Sequence, residues 1–323
     1  MSRLRVLFAG TPEVALPSLD LLAGDPRFEV VGVLTNPDRP RGRSGRPARS
    51  PVAERAVALG IPLLRPERPA EALEGIAASG AGIGAVVAYG SILPAAVLAA
   101  LPLGFVNLHF SLLPRWRGAA PVQHAIRSGD AVTGVTAFRL DEGMDTGPIL
   151  RTRVVSPPAH VDAGDLLEGL AVQGAPVLAD ALLAVAAGEE GVPQPEEGIT
   201  LAPRVRPQDA IIDWDRPAAE VARRIRSVTP RPGASTTLAA ARLKVAGAVA
   251  LEDGDGAIGP EVRPPAGTVL GSDGDDVLVA CGDGVVRIGR VQPEGRPWSV
   301  AADQVRGRRL ATGVVLGAAG AAS

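Results

Sequence analysis

The chain has 323 residues, of which 46% are hydrophobic, and this is enough to build the cores of two domains. Its formal net charge of -2 excludes a strongly basic nucleic-acid-binding protein, so any RNA contact must come from a local patch. Cys281 is the only cysteine, which excludes an internal disulfide and fits a reducing cytoplasm. The three histidines, at positions 109, 124 and 160, have no metal-ligand spacing, and we expect no metal site.

Predicted strands and helices alternate through the first third of the chain. Leu4–Phe8 and Val30–Leu34 are expected to be strands, and the residues between Thr11 and Leu22 a helix with Thr11 as its N-cap. The alternation continues with a helix over 52–59, a strand over 61–64, a helix over 71–78 and a strand over 85–88. This order predicts an α/β domain with a Rossmann-like, open, mostly parallel sheet.

The sequence supports neither a dinucleotide site, which this fold class could suggest, nor a membrane span. A dinucleotide site would need a glycine-rich turn after the first strand, but only Gly10 follows it, and we expect no nucleotide cofactor. Residues 83–106 carry no charge and are long enough to span a membrane. Glycines and prolines divide them into strand, turn, short helix and strand, so we expect no membrane segment.

Residues 35–51 form a long predicted loop that carries five arginines and no large apolar side chain. Long loops in compact domains are usually functional or disordered. Arginines among glycines and prolines suit phosphate contacts by a segment that orders on binding. The composition alone is equally consistent with a solvated, flexible loop.

A strand predicted over residues 104–110 carries two polar residues, Asn107 and His109, on the same face. Pro114 and Gly118 then turn the chain into a loop. An amide N–H can hold a developing oxyanion, and an imidazole can move a proton near neutral pH, so the two could form a catalytic pair. Their spacing alone fits equally well two polar residues that cap a turn.

A second stretch, residues 134–150, is predicted to form a strand, a glycine-rich loop containing Asp145, and another strand. Together the two stretches resemble those of the folate-dependent formyltransferases, and most closely those of the methionyl-tRNA formyltransferases. The resemblance extends to Phe8-Ala9-Gly10-Thr11-Pro12-Glu13, Asn36-Pro37-Asp38-Arg39-Pro40, Ala88-Tyr89-Gly90-Ser91-Ile92-Leu93-Pro94 and Arg115-Trp116-Arg117-Gly118-Ala119-Ala120-Pro121. It covers nearly the whole chain and is densest over residues 1–155.

The resemblance implies that Asn107, His109 and Asp145 are catalytic. It also implies folate contacts from Tyr89, Gly90, Ile92, Ser111, Leu112, Leu113, Pro114, Leu140, Asp141 and Gly143, and tRNA contacts from Arg41, Arg43 and Arg46. Leu201 and Arg204 stand where the family usually has tyrosine and lysine, so a tyrosine contact from this segment is not expected. We assign no role to His124 or His160.

The rest of the chain is expected to form a long helix, a linker and a second domain. The helix should cover residues 161–187 with an interruption at 174–176, and the glycine-, proline- and glutamate-rich residues 188–208 should be a linker. Short strands between Gly/Asp turns, after Ile211–Trp214 and a helix over 218–229, suggest a small β-barrel, OB-like in the family. A helix over 300–310 and a frayed tail over 311–323 end the chain. The predicted domains are therefore 1–187, catalytic, and 209–323, tRNA-contacting, joined by 188–208.

The family's activity is the transfer of a formyl group from 10-formyltetrahydrofolate to the α-amine of methionyl initiator tRNA. The resemblance thus implies a cytoplasmic enzyme of translation initiation, which we expect to be a monomer. Formylation of another amine, such as a glycinamide or an amino-sugar nucleotide, would need the same three residues. Two further alternatives are a non-catalytic RNA-binding module and hydrolysis of the formyl folate by water.

Overall fold

The computed structural model describes residues 3–40, 47–251, 264–307 and 309–317. Its contacts divide the chain into two compact units. The first unit consists of residues 1–121, 132–156 and 167–202, and the second of residues 122–131, 157–166 and 203–323. Arg41, Arg43 and Arg46 lie outside the described residues.

The strands, in chain order, are β1 Leu4–Gly10, β2 Phe28–Leu34, β3 Arg39–Pro40, β4 Pro47–Ala48, β5 Leu63–Leu64, β6 Ile83–Val87, β7 Phe105–His109, β8 Thr133–Arg139, β9 Ile149–Val155, β10 Ser235–Leu238, β11 Ala241–Ala250, β12 Val269–Asp273, β13 Asp276–Ala280, β14 Val285–Pro293 and β15 Ser299–Val300. The helices are α1 Leu16–Gly24, α2 Pro51–Ala58, α3 Leu73–Ala78, α4 Ala95–Leu98, α5 Pro121–Ser128, α6 Ala163–Ala186, α7 Ala218–Ser227 and α8 Ala301–Arg306. Short 3-10 turns lie at Glu13–Ala15, Pro69–Ala72 and Pro207–Ala210.

The first unit is built on a seven-stranded sheet in the order β5-β2-β1-β6-β7-β8-β9. The strands from β5 to β7 are parallel, whereas β8 and β9 are antiparallel to their neighbours. The strands β6 and β8 are almost wholly buried, so both faces of the sheet are covered around them. The carboxyl ends of the parallel strands meet at one edge, where sheets of this class bind ligands.

The helix α6 runs without a break through Pro176, so the interruption predicted at 174–176 is wrong. Gly174 lies against the sheet, and a Cβ placed on it would be 2.8 Å from Leu108 Cδ2. The glycine therefore permits close packing of helix and sheet and does not end the helix. By length and composition α6 could also cross a membrane. However, 56% of its most apolar 18-residue stretch is buried inside the protein, as in the core helix of a globular domain.

Thr11 does not cap the first helix, because a 3-10 turn at Glu13–Ala15 precedes α1 and Ala15 occupies the N-cap position. The Thr11 hydroxyl instead donates a hydrogen bond to the Tyr89 carbonyl (2.9 Å), which joins the loops that follow β1 and β6. The hydroxyl is thus committed to a long-range contact that the local sequence does not indicate.

The second unit contains a six-stranded antiparallel sheet in the order β10-β11-β14-β13-β12, with β15 paired to β14. The buried face of α7 packs on this sheet through Val221, Ala222 and Ile225. Residues 311–317 are not a frayed tail: Gly313 and Leu316 donate backbone hydrogen bonds to Val269 and Gly267, and Leu316 is buried. The predicted last helix is also shorter than expected, ending at Arg306. The predicted fold class is a Rossmann-like, mostly parallel sheet followed by a small OB-like β-barrel; the mostly parallel sheet and the antiparallel β domain that follows it are confirmed.

Candidate active site

Asn107 and His109 lie at the carboxyl end of β7, between the parallel strand β6 and the antiparallel strand β8. Asn107 is opposite Val86 and Phe138, and His109 is opposite Thr136. The His109 side chain is only 6% exposed, and its ring meets the edge of Phe138 at a centroid distance of 6.5 Å. Asn107 is partly buried, and its side-chain amide makes no hydrogen bond to another described residue. The sheet thus holds the imidazole rigidly and leaves the amide available to a ligand.

Both ring nitrogens of His109 face oxygen atoms. Nε2 lies 2.8 Å from the Trp116 carbonyl, and Nδ1 lies 3.7 Å from Asp145 Oδ2. A carbonyl oxygen can only accept a hydrogen bond, so the neutral ring carries its proton on Nε2. A second proton, on Nδ1, would face the Asp145 carboxylate. The ring therefore has a favourable partner in both its neutral and its cationic form.

Opposing effects act on the protonation of His109. Burial lowers the pKa of the imidazole below its ordinary value, because the charged form loses hydration. The Asp145 carboxylate and the Trp116 carbonyl act in the opposite direction, since both favour the cation. The net direction is a lowered pKa, which keeps the ring neutral near pH 7 and able to accept a proton.

Asp145 lies in the loop between β8 and β9, with its backbone in the left-handed region at φ 56°. Its Oδ2 accepts a hydrogen bond from the Gly118 N–H at 2.7 Å. Asp141, in the same loop, accepts hydrogen bonds from the Gly143 N–H and the Thr146 hydroxyl and so closes a tight turn. Leu140 precedes this turn and donates its N–H to the Phe105 carbonyl. This turn carries Asp145 to the end of the neighbouring strand β7.

The loop after β7 is fixed by its own hydrogen bonds. Ser111 is fully buried; its hydroxyl donates to the Arg115 carbonyl at 2.6 Å, and its carbonyl accepts from the Thr136 hydroxyl at 2.7 Å. The Leu113 N–H donates to the same hydroxyl. The structure thus gives the Ser111 hydroxyl a role within the loop, with Leu112 and Pro114 forming the partly exposed part of the turn.

The segment 89–92 follows β6 at the same edge of the sheet. The Tyr89 side chain is buried, and its carbonyl accepts hydrogen bonds from Thr11 and from the Asn36 amide (2.7 Å). Gly90 has a φ of 86°, and the Ser91 hydroxyl donates to the Asn36 side chain. Ile92 is 90% exposed. This segment therefore offers ordered backbone and one apolar side chain to a ligand.

Comparison with known proteins identifies the family. Residues 3–182 match the formyl transferase family, and residues 204–309 match the C-terminal domain of formyl transferases. The methionyl-tRNA formyltransferase of Acidothermus cellulolyticus is 48% identical over 96% of this chain and 99% of its own. That of Mycobacterium ulcerans is 46% identical over 95% of this chain and 98% of its own. The chain belongs to the methionyl-tRNA formyltransferase family.

The fold is also that of a solved structure, HypX from Aquifex aeolicus in complex with tetrahydrofolic acid. The TM-score is 0.64 at 16% identity, and the match covers 96% of this chain and 48% of HypX. Membership of the family agrees with the resemblance found in the sequence. The roles of the individual site residues stay predictions, although His109 and Asp145 do lie side by side at the end of the sheet.

Sequence reasoning missed the part that residues 192–202 play at this site. This segment, interpreted from its composition as part of a linker, pairs with both loops around His109. Val192 pairs with Ile149, and Leu201 forms a parallel bridge with Arg117 while leaving its side chain 62% exposed. The Thr200 hydroxyl accepts a hydrogen bond from the Trp116 N–H at 2.9 Å.

Among the described residues, no group of three or more His, Cys, Asp and Glu side chains is placed to hold a metal ion.

Proposed function

We propose that this protein transfers the formyl group of 10-formyltetrahydrofolate to the α-amine of methionyl initiator tRNA. The observation that carries the proposal is the similarity of both domains, over nearly the full length, to proteins named methionyl-tRNA formyltransferase. Because charged initiator tRNA is a substrate found in the cytoplasm, the reaction belongs there. The proposal treats the protein as a monomer that binds the folate and the tRNA together.

The reaction begins when the amine nitrogen attacks the formyl carbon, and the electron pair of the carbonyl bond moves to its oxygen. Asn107 donates a hydrogen bond to this oxygen as it gains negative charge, which lowers the barrier. The Asn107 amide is partly buried, and the neighbouring residues of β7 are buried. This suits the role, because hydrogen-bond donors act more strongly where water is excluded.

His109 takes the proton that the attacking amine must lose, and it does so at Nδ1, the ring nitrogen that carries no proton in the neutral form. The lowered pKa of His109 keeps the ring neutral beforehand, and Asp145 near Nδ1 stabilises the cation once it forms. The intermediate then collapses: the bond between the formyl carbon and N10 of the folate breaks, and N10 receives a proton, which the His109 cation can supply. The products are formyl-methionyl-tRNA and tetrahydrofolate.

Other assignments belong to the same proposal. The backbone of the 89–92 segment and the turns at 111–114 and 140–143 hold the folate, and Arg41, Arg43 and Arg46 contact the tRNA. Within the predicted loop over 35–51, the two short antiparallel strands β3 and β4 pair Arg39 with Ala48, on either side of residues 41–46. They bring Pro40 and Pro47 together, and these are the residues next to the segment that carries Arg41, Arg43 and Arg46.

The test is to incubate the purified protein with 10-formyltetrahydrofolate and each of three amines: charged initiator tRNA, glycinamide ribonucleotide and an amino-sugar nucleotide. Formate release without any amine measures hydrolysis. The proposal predicts formyl-methionine from the charged tRNA at a kcat/KM far above that for the other two amines. Preferential formylation of either small amine, or formate release that the tRNA does not change, would overturn it.

A further inference from the structure

One side chain in the 192–202 segment joins the two loops that surround His109. Gln194 Oε1 accepts hydrogen bonds from Arg117 Nε at 3.0 Å and from Nη2 at 2.6 Å. Its Nε2 donates to the carbonyls of Asp145 at 2.8 Å and Gly147 at 2.9 Å. A guanidinium can only donate and a carbonyl can only accept, so these partners fix which way the amide points. All four of its hydrogen-bonding positions are used.

The groups that Gln194 connects are those that set the surroundings of His109. Arg117 lies between Trp116, whose carbonyl binds His109 Nε2, and Gly118, whose N–H binds Asp145 Oδ2. The Asp145 peptide is in a left-handed conformation, which is uncommon for residues other than glycine and needs support from its surroundings. Gln194 supplies that support directly, by binding the Asp145 carbonyl. It therefore holds the loop that carries the Asp145 carboxylate and the loop that carries the Trp116 carbonyl at a fixed separation.

A less specific reading is that Gln194 only strengthens the fold of the first unit. The 192–202 segment has other attachments that could do this, including the backbone pairs of Val192 with Ile149 and of Ala202 with Arg117 and Ala120. Gln194 differs from them because its bonds end on Asp145 itself. Loss of the amide should therefore change the position of the carboxylate relative to the ring, and not only the stability.

We propose that Gln194 is a positioning residue that sets the distance between the Asp145 carboxylate and His109. This role rests on the proposed function for its catalytic consequence, but its effect on the His109 ring does not depend on any substrate. Gln194 is not a catalytic residue, since it acts through Asp145. A displacement of about 1 Å at such a distance can cost on the order of 10²-fold in rate.

The test uses Gln194→Met, which keeps the length of the side chain and removes all four hydrogen bonds. The matched control is Gln292→Met, since Gln292 makes a side-chain hydrogen bond to the Arg296 carbonyl in the second unit. We expect Gln194→Met to lower kcat about 10- to 100-fold with the KM for the folate nearly unchanged. The control should leave both constants at their wild-type values.

Two measurements separate positioning from general stability. The same change introduced into Asp145→Asn should lower kcat further by less than about threefold, because residues that act as a unit are not additive. In the protein without substrates, proton NMR of the three histidines should show His109 titrating at lower pH in Gln194→Met than in wild type.

The outcomes separate the two claims. Equal losses of kcat in the wild-type and Asp145→Asn backgrounds, or an unchanged His109 titration, would overturn the role of Gln194. A wild-type protein that makes no formyl-methionine would overturn the proposed function, and the NMR titration would still decide whether Gln194 positions Asp145.

Discussion

The Asp145→Asn substitution tests how the charge next to His109 contributes. Asparagine has nearly the same shape as aspartate, can still accept the Gly118 N–H, and tolerates the left-handed φ of 56° better than most residues. The substitution therefore removes the negative charge while leaving the turn in place. Alanine would lack this hydrogen bond and would be strained by the backbone conformation.

The size of the lost interaction follows from the 3.7 Å separation between Nδ1 and Oδ2. At that distance, opposite unit charges attract by about 1 kcal/mol with the dielectric constant of water and by about 4 kcal/mol at an effective value of about 20. The two side chains are 6% and 17% exposed, so the second figure is the closer one. The cation of His109 should therefore be much less favoured in the variant, and the pKa of His109 should fall further below its ordinary value.

The assay is the pH dependence of kcat/KM for formyl transfer. If His109 must be neutral to accept a proton, activity falls on the acid side as the ring becomes protonated, and Asp145→Asn should move this fall to lower pH. The substrate amine titrates identically in both proteins, so the difference isolates His109. NMR of the ring gives the same comparison without substrate. Coincident acid limbs and coincident NMR titrations in the two proteins would show that Asp145 does not act through its charge.

Four other substitutions test the roles of individual residues. Asn107→Ala and His109→Ala should each lower kcat while the fold stays intact, the former by about 10²- to 10³-fold; near wild-type turnover in Asn107→Ala would remove it from the mechanism. Arg43→Ala should raise KM for charged tRNA, lower kcat and leave folate affinity unchanged. It should also flatten the salt dependence of tRNA affinity by about one unit of slope. Identical tRNA binding by wild type and variant at two salt concentrations would contradict this. Burial, and secondarily Asp165, raises the pKa of Asp162 from 3.8 to about 6, so the folded state holds a proton that the unfolded state loses, and stability falls as pH rises through that window. With allowance for solvent screening, the unfolding free energy of Asp162→Asn relative to wild type should therefore increase by about 1 to 2 kcal/mol from about pH 4 to about pH 7; a difference that does not vary with pH would refute it.

The sheet and the ends of its strands could be predicted because their signals are local. Alternation of strands and helices predicted the parallel sheet, and the Asn107 and His109 spacing predicted two side chains from one strand. The contact between His109 and Asp145 was anticipated only through the family resemblance. Nothing in the sequence near either residue indicates that β8 returns antiparallel to β7 and brings the next loop to the end of β7.

The elements that were misinterpreted depend on partners far away in the chain. The composition of residues 188–208 is that of a linker, yet Gln194 and Thr200 bind loops that lie 47 and 84 residues away. The small and apolar residues near the chain end have the composition of a frayed tail, yet the Leu316 N–H donates a hydrogen bond to the Gly267 carbonyl. Thr11 has the sequence context of an N-cap, but its hydroxyl is bound by Tyr89. In each case a long-range hydrogen bond, and not the preference of the local sequence, determines the structure.

Formyl transfer to methionyl-tRNA is measured most directly by the mass of the methionine released from initiator tRNA after incubation with the protein and 10-formyltetrahydrofolate. The measurement is made in parallel with wild type and Asn107→Ala, at enzyme concentrations above those of the tRNA, so that a single turnover is followed. We expect complete conversion to formyl-methionine by wild type and a rate about 10²- to 10³-fold lower for the variant. Unmodified methionine with the wild-type protein, while formate accumulates or another amine is formylated, would contradict it.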